Sequence, residues 1–204
     1  MQRLRDAAQS LLVGQSNRIE ETVGCAGMAE TGDRFEMVDG SVYIVRQLAA
    51  ETNGEYVEME FVLPAGSFAP PPHVHPDQVE EYEVIKGCFD VMVEGEWSSF
   101  GPGESASVPV GALHTFKNPT EETIRVKNWH RPAKSFEDFI ASAAGALEAA
   151  GVRGLRDPRV PLIMSMQFQK FPDTLALGRA RERIPMGVMA RIGKLLRLPS
   201  GPHG

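Results

Sequence analysis

The sequence predicts an all-β domain followed by an α-helical C-terminal extension. From about residue 34 to residue 130, short β-rich segments alternate with turn signals about every 8–12 residues, as in a closed barrel or a sandwich. After Pro132 the apolar residues recur at steps of three and four, which is the period of an amphipathic helix. The length of 204 residues fits one domain with an appendage, because two complete domains would be small at this size.

Three parts of the chain follow from these patterns. Residues 1–27 form a weakly organised leader in which a few apolar residues have helical spacing and predict, at most, one short helix. Residues 28–134 form the β domain. Residues 135–204 form the helical extension.

Turn signals delimit the first strands. Asp39-Gly40 predicts a two-residue hairpin turn, and Asn53-Gly54 predicts a second turn. Residues 56–63 then alternate, with Glu58 and Glu60 on one face and apolar residues on the other. That alternation indicates a half-buried antiparallel strand.

The middle of the chain predicts further strands between breaks. The prolines at 70–72 keep the chain extended and exclude a helix just before His73. Gly87 ends the strand that follows, and Glu94-Gly95 predicts a tight turn. The other segments with strand character are residues 35–38, 42–48, 80–86, 89–93, 105–109 and 123–130.

The extension predicts helices separated by a loop. Ser135 can cap a first helix, and Gly151 is a plausible stop. Residues 153–161 are expected to form a loop, and residues 162–168 a short helix or an edge segment. Pro185 can begin a last helix, which is amphipathic, basic and short enough to need a surface on which to lie.

Charge and composition disfavour several classes of protein. The net charge is −6, with an acidic body up to residue 134 and a mildly basic tail, which argues against nucleic-acid binding. We expect the tail to lie on the acidic body rather than on a membrane. There is no apolar run near the ~20 residues of a membrane span and no signal-peptide pattern, so a cytoplasmic protein is expected. Cys25 and Cys88 predict two free thiols.

A cluster of potential metal ligands begins at His73. His73 and His75 share one face of an extended strand, because strand side chains alternate. Glu80 follows a Pro-Asp break that can turn the chain back toward both rings. Glu81 is the competing carboxylate, but it would face the other side of the strand. Such nitrogen and oxygen donors suit a divalent transition metal, whereas a His-x-His pair alone is more often structural.

Two motifs in this region resemble those of the cupin superfamily. The first motif consists of Gly66, His73-x-His75, Glu80 and Gly87. The second motif, which follows after residues 88–102, is Gly103-x5-Pro109-x-Gly111-x2-His114-x3-Asn118. The only departure is a gap between Gly66 and His73 that is one residue longer than usual. The resemblance covers about residues 28–132.

This resemblance implies a double-stranded β-helix, or jelly-roll cupin barrel, that holds a metal ion. The ligands would be His73, His75, Glu80 and His114. With a single copy of the motifs, the chain looks like a monocupin of the cupin-2, quercetin-dioxygenase-like type. Fe, Mn, Ni, Co, Cu and Zn all accept this ligand set, so the identity of the ion stays open.

The resemblance further implies a metal-dependent enzyme that acts on a small molecule, with oxygenase chemistry as the leading hypothesis. Glu80 is then also a catalytic candidate, because a ligand carboxylate with a free oxygen can move protons. Decarboxylation, isomerisation and cyclisation stay open, as does non-catalytic binding or sensing of a small acid. We expect a homodimer whose partner is a small-molecule substrate or ligand.

Aromatic and sulfur-containing side chains beside the ligands are candidates for the substrate pocket. These are Tyr82, Phe116, Phe61 and Met59, for which packing of the barrel is the competing role. His130, near the end of the last strand, can be a pocket acid or base. A surface or core histidine is the favoured interpretation of that residue.

Overall fold

The structure is a computed structural model that describes residues 29–67, 71–178 and 180–201. The predicted leader at residues 1–27 and Cys25 lie outside the described residues. Cys88 carries a free thiol. Among the described residues, no helix combines the length and the apolar character that crossing a membrane requires.

The first part of the described chain consists almost entirely of strands, as the sequence predicts. A short 3-10 helix (Ala49–Thr52) interrupts them. The strands in chain order are β1 (Arg34–Glu36), β2 (Val42–Gln47), β3 (Val57–Leu63), β4 (His73–Val74), β5 (Val79–Lys86), β6 (Phe89–Val93), β7 (Glu96–Phe100), β8 (Ser105–Val108), β9 (His114–Lys117) and β10 (Ile124–Arg131).

These strands form two antiparallel sheets, which together make a jelly-roll barrel. The six-stranded sheet has the order β1-β2-β3-β10-β5-β8, and the second sheet contains β4-β9-β6-β7. Their inner faces enclose one apolar core, in which Met59, Phe61 and Tyr82 are almost completely buried. Alternation along the strands places these residues inside and most charged residues outside.

Two of the predicted turns have different outcomes. Glu94-Gly95 links β6 to β7 directly, with φ angles of 51° and 97°, so the predicted tight turn is confirmed. The two-residue hairpin at Asp39-Gly40 is wrong, because Glu36 pairs with Val42 and residues 37–41 form the connection. The Asp39 carboxylate accepts hydrogen bonds from Ser41 and stabilises this longer loop.

Gly87 is required where the chain passes from β5 to β6. Its φ angle is +91°, and a Cβ atom there would lie 2.3 Å from Cγ2 of Ile124. Any other residue would therefore be strained and would collide with the core. The predicted break at this position is confirmed.

The extension after β10 contains α1 (Phe136–Ala149), α2 (Arg159–Lys170), β11 (Ala176–Leu177) and α3 (Ala180–Leu195). The first helix ends as predicted, since Gly151 follows it with φ +63°. Ser135 occupies the N-cap position, but its side chain makes no capping hydrogen bond within the described part of the chain.

Two boundaries in the extension were predicted wrongly. The predicted loop at 153–161 is shorter, because α2 already begins at Arg159. Pro185 lies inside α3 and does not begin it. The helix tolerates the lost backbone hydrogen bond because α3 packs tightly on α2: a Cβ atom on Gly193 would lie 2.6 Å from Sδ of Met166.

The extension also completes the barrel, which the sequence did not predict. Strand β11 pairs with β4, with Ala176 opposite Val74 and Leu177 opposite His73. Phe171 and Leu175 belong to the same apolar core as the barrel strands. The second sheet therefore has five strands, in the order β11-β4-β9-β6-β7.

Candidate metal centre

Four polar side chains from both sheets meet inside the barrel. Pairing of β4 with β9 places His73 directly opposite His114, and His75 follows just beyond the end of β4. Glu80, the second residue of β5, comes from the facing sheet. All four side chains are buried, and one donor atom from each lies within 4.8 Å of the others.

Each of the three histidine rings is held through its Nδ1 atom by a backbone carbonyl. The carbonyls belong to Pro71 at 3.3 Å from His73, Thr174 at 2.5 Å from His75, and Ala112 at 2.9 Å from His114. A carbonyl oxygen only accepts hydrogen bonds, so each Nδ1 must carry the proton. In the neutral rings, the lone pairs are therefore on the Nε2 atoms, which is the arrangement of metal-ligating histidines.

The two oxygens of Glu80 have different surroundings. Oε1 accepts a hydrogen bond from Nδ2 of Asn128 at 2.9 Å and lies 3.3 Å from Nε2 of His130. Oε2 lies 2.8 Å from Nε2 of His114 and 3.4 Å from Nε2 of His75. Neither Oε2 nor Nε2 of His114 has a hydrogen bond of acceptable geometry within the described residues.

This donor set fits a divalent metal ion. Two lone-pair atoms at 2.8 Å, Glu80 Oε2 and His114 Nε2, are stable together only if they share a proton or a cation. Atoms that bind one ion at about 2.1 Å lie about 3.0–4.2 Å apart, and the four donors need only small shifts to reach that spacing. Imidazole with one carboxylate suits Zn, Fe, Ni, Co, Cu or Mn.

Burial and mutual contact determine the protonation of the centre. Burial, followed by the neighbouring rings of His114 and His75, holds the pKa of His73 well below its ordinary value. Burial alone would raise the pKa of Glu80, but the nearby histidines, His130 first, hold it well below that of an exposed carboxyl group. Burial also opposes protonation of His114, yet Glu80 raises its pKa above the ordinary value. A bound metal ion would displace that proton.

Comparison with known proteins identifies the fold family. A family model described as "Cupin domain" matches residues 59–130. Residues 59–130 form a cupin domain. The matched segment contains all four donors and both of the motifs noted in the sequence. No curated protein matches the chain significantly.

Solved structures similar to this cupin cover about half of its chain. An RmlC-like cupin from Shewanella frigidimarina is 21% identical, with a TM-score of 0.46 over 56% of this chain and 94% of that one. The Cupin_2 domain of an XRE family transcriptional regulator from Enterobacter cloacae is 14% identical, with a TM-score of 0.41 over 45% and 95%. A sugar phosphate isomerase of the cupin superfamily from Silicibacter pomeroyi is 20% identical, with a TM-score of 0.42 over 48% and 62%. At this level of likeness they do not assign a reaction to the cupin.

The two neighbouring carboxylates of β5 lie on opposite faces of the cupin barrel. Glu80 faces the interior, whereas Glu81 faces outward and forms an ion pair with Arg131 at 2.7 Å. Strand alternation predicts this difference.

His130 contacts the centre, although the sequence favoured a surface or core position over a pocket role. It is buried, and its Nε2 atom lies 3.3 Å from Nε2 of His75 and 3.3 Å from Oε1 of Glu80. Asn128 was missed altogether. Both residues share the inward face of β10, so the alternation that identified Glu80 was a usable signal for them.

The predicted pocket residues lie in the core of the cupin barrel. Phe116 packs between Phe61 and Tyr82, with ring centroids 5.9 Å and 5.8 Å away, and Met59 is fully buried beside them. Burial, reinforced by the charge of Glu80, raises the pKa of Tyr82 well above its ordinary value, so its hydroxyl stays protonated. Their contact with a substrate stays a prediction.

A groove lies apart from these residues, in the helical extension of the cupin. Its volume is about 320 Å³, and it runs between the end of α2 and α3. Leu175 and Ala176 form part of its wall. None of the sequence-predicted site residues contacts it.

Proposed function

We propose that this cupin binds one divalent transition metal ion through His73, His75, Glu80 and His114 and acts as an enzyme on a small molecule. The observation that carries the proposal is the fixed tautomer of the three rings. Each protonated Nδ1 atom faces a carbonyl, so three Nε2 lone pairs and one buried carboxylate oxygen point to a common position. Two of these buried acceptors, Oε2 of Glu80 and Nε2 of His114, have no hydrogen-bond partner among the described residues, which is costly unless they share a proton or a cation.

Within this proposal the side chains have separate roles. Three neutral imidazoles and the Oε2 atom of Glu80 hold the ion, which would supply Lewis acidity and, for a redox-active metal, electron transfer to a substrate or to dioxygen. Asn128 and His130 hold Oε1 of the same carboxylate. Proton transfer by Glu80 would then proceed at Oε1, with His130 as the neighbouring group.

We further propose oxygenase chemistry of the quercetin-dioxygenase type for this centre. Three imidazoles and one carboxylate would leave coordination positions of a divalent ion open to an enolate or carboxylate oxygen of a substrate. Non-catalytic binding of a small acid, or metal-dependent decarboxylation, isomerisation or cyclisation, would use the same four ligands.

Two neighbouring carboxylates provide a matched test of metal binding. The protein, purified in the presence of several metals, is analysed for metal content beside Glu80→Gln and Glu81→Gln. We expect about one ion per chain in the wild type and in Glu81→Gln, and a large loss in Glu80→Gln. A wild type without stoichiometric metal contradicts the proposal.

A second experiment separates the enzyme from the binding protein. The metal-loaded protein is incubated aerobically with flavonols, diketones and catechols while oxygen uptake and product formation are followed. Metal-dependent oxygen uptake that Glu80→Gln abolishes supports the oxygenase. If no compound of the panel causes oxygen uptake or product formation, and a small carboxylic acid binds tightly, the result supports a non-catalytic binding protein.

We propose a homodimer on the basis of the outward face of α3. Val188, Ile192 and Leu195 share this face and are 51%, 42% and 82% exposed, and aligned apolar residues of this kind mark interaction surfaces. Light scattering coupled to size-exclusion chromatography tests the proposal. We expect the mass of a dimer for the wild type and that of a monomer for Leu195→Glu, and a monomeric wild type contradicts it.

A further inference from the structure

We propose that the C-terminal extension positions two of the metal ligands, so that the barrel alone is an incomplete metal centre. The carbonyl of Thr174 orients His75, and the ring of Phe136 orients His130, which contacts Glu80. The inference rests on the proposed metal site and assigns a positioning role to residues outside both motifs.

The support for His75 differs from that of the other two histidines. His73 and His114 donate to carbonyls two residues away in the sequence, so the local backbone holds them. His75 donates to Thr174, which is 99 residues away. Only the fold of the extension brings that carbonyl to the ring.

The segment around Thr174 is anchored at both ends. Its N–H group donates to the carbonyl of Phe171 at 3.2 Å, and Thr174 is fully buried. After it, β11 pairs with β4, and the N–H group of Gly178 donates to the carbonyl of Pro72 at 3.3 Å. The acceptor for His75 is therefore fixed relative to the strand that bears His73.

The second contact runs through His130. Its Nε2 atom faces Glu80, but its Nδ1 atom is buried and has no hydrogen-bond partner among the described residues. The imidazole instead stacks on Phe136, with centroids 3.5 Å apart and planes at 20°. Packing against the first turn of α1 therefore sets the orientation of the ring that holds Oε1 of Glu80.

The start of α1 is itself held by the barrel. The side-chain amide of Gln78, just before β5, donates to the carbonyls of Pro132 and Ala133 at 2.9 Å each. The Glu137 carboxylate accepts a hydrogen bond from the N–H group of Ala49 at 3.1 Å. Phe136 lies between these anchors, so its position over His130 is fixed from both sides.

The test for the Phe136 contact compares two buried phenylalanines of α1. Phe136→Leu removes the stacked ring, whereas Phe139→Leu makes the same change in the same helix without touching His130. Dissociation constants for Zn²⁺ and Co²⁺ are measured against a competing chelator, with the visible spectrum of the Co²⁺ form as a second readout and the melting temperature of the metal-free protein as a measure of folding.

We expect Phe136→Leu to weaken metal binding about 10-fold or more and to alter the Co²⁺ spectrum, as loss of an outer-shell contact does. The metal affinity of Phe139→Leu should stay within about 2-fold of the wild-type affinity. In a His130→Leu background, Phe136→Leu should have a smaller effect on metal affinity, because only the contact of Phe136 with His75, at 6.1 Å between ring centroids, remains. Equal metal affinities of the two phenylalanine variants would overturn the proposed role of the contact between Phe136 and His130. A wild type that binds neither ion would instead overturn the proposed site and the inference with it.

A separate pair of variants tests the Thr174 carbonyl. Thr174→Ala removes the side chain but keeps the backbone restricted, whereas Thr174→Gly removes the same side chain and frees the backbone. We expect the glycine variant to bind Zn²⁺ about 10-fold more weakly than the alanine variant. Identical affinities would overturn the role of this carbonyl in holding His75.

Discussion

The barrel and the C-terminal extension contribute differently to the same centre. The barrel supplies all four candidate ligands, from strands β4, β5 and β9 and the residues beside them. The described residues of the extension supply no candidate ligand, but the Thr174 carbonyl and the Phe136 ring contact two histidines at the centre. A sequence motif can therefore locate the donor atoms and still omit much of what orients them.

Removal of a metal ligand should give the largest difference in metal content between variants of the barrel and variants of the extension. His114→Ala deletes a fully buried donor whose Nε2 atom lies 2.8 Å from Glu80, so we expect no stoichiometric metal after size-exclusion chromatography. Phe139→Ala, in the extension, should keep its metal. Elemental analysis of both variants checks the comparison, and full metal content in His114→Ala would remove this histidine from the ligand set.

Phe139→Ala should instead lower stability. The side chain is buried and packs on Phe168 and Phe171, so its loss leaves a cavity and should lower the free energy of unfolding by about 3–5 kcal/mol. Urea unfolding of the metal-free protein measures this change. A change below about 1 kcal/mol would show that the extension is not part of a common core with the barrel.

Asn128→Leu should affect binding more than folding. The substitution removes the hydrogen bond to Oε1 of Glu80, and it also removes a buried Oδ1 atom that has no partner in the described part of the chain. We expect metal affinity to fall about 10–100-fold, or about 1.4–2.7 kcal/mol, with a smaller change in the stability of the metal-free protein. Unchanged affinity for Zn²⁺ would argue that Glu80 needs no support from Asn128.

The smallest effect is expected at Glu60, on the outer face of the barrel. Burial alone would raise its pKa, but hydrogen bonds from Arg125 and Arg46, at 2.6 Å each, hold the pKa below the ordinary value of 4.5. A depressed carboxyl pKa stabilises the fold above the ordinary value, and that contribution is lost as the pH falls through the folded-state pKa. Glu60→Gln should therefore lower the free energy of unfolding by about 1 kcal/mol at pH 7.

The difference in the free energy of unfolding between the wild type and Glu60→Gln should shrink once the pH drops below 4.5. Chemical unfolding at several pH values provides the curve. A difference that is constant down to acidic pH would mean that the charge of Glu60 contributes nothing. Metal affinity should be the same in both proteins at pH 7, since Glu60 faces away from the centre.

Local patterns made most of the barrel predictable from the sequence. Alternation placed Glu80 inside and Glu81 outside, and the break at Gly87 and the turn at Glu94-Gly95 depend on backbone conformations that few residues adopt. The Asp39-Gly40 hairpin failed because a side-chain hydrogen bond favoured a longer loop. Short-range rules are reliable only where no nearby side chain competes for the backbone.

The long-range contacts at the metal centre have no comparable signal in the sequence. Thr174 contacts His75 through its backbone carbonyl, which every residue carries, and the fold alone brings together these two residues that are 99 positions apart in the sequence. Phe136 also packs in the apolar core, a role that any apolar residue of an amphipathic helix can have, so nothing in the sequence singles it out. Proline is typical of a helix start, and the packing of α3 on α2, which places Pro185 inside α3, has no local signal in the sequence.

X-ray absorption spectroscopy of the metal-loaded wild-type protein observes the ligands of the proposed metal centre themselves. With one Zn²⁺ or Co²⁺ per chain, we expect only nitrogen and oxygen neighbours at about 2.0–2.2 Å, with outer scattering from three imidazole rings. A sulfur neighbour at about 2.3 Å, fewer than three imidazoles, or a protein that retains no stoichiometric metal would contradict the proposed metal centre.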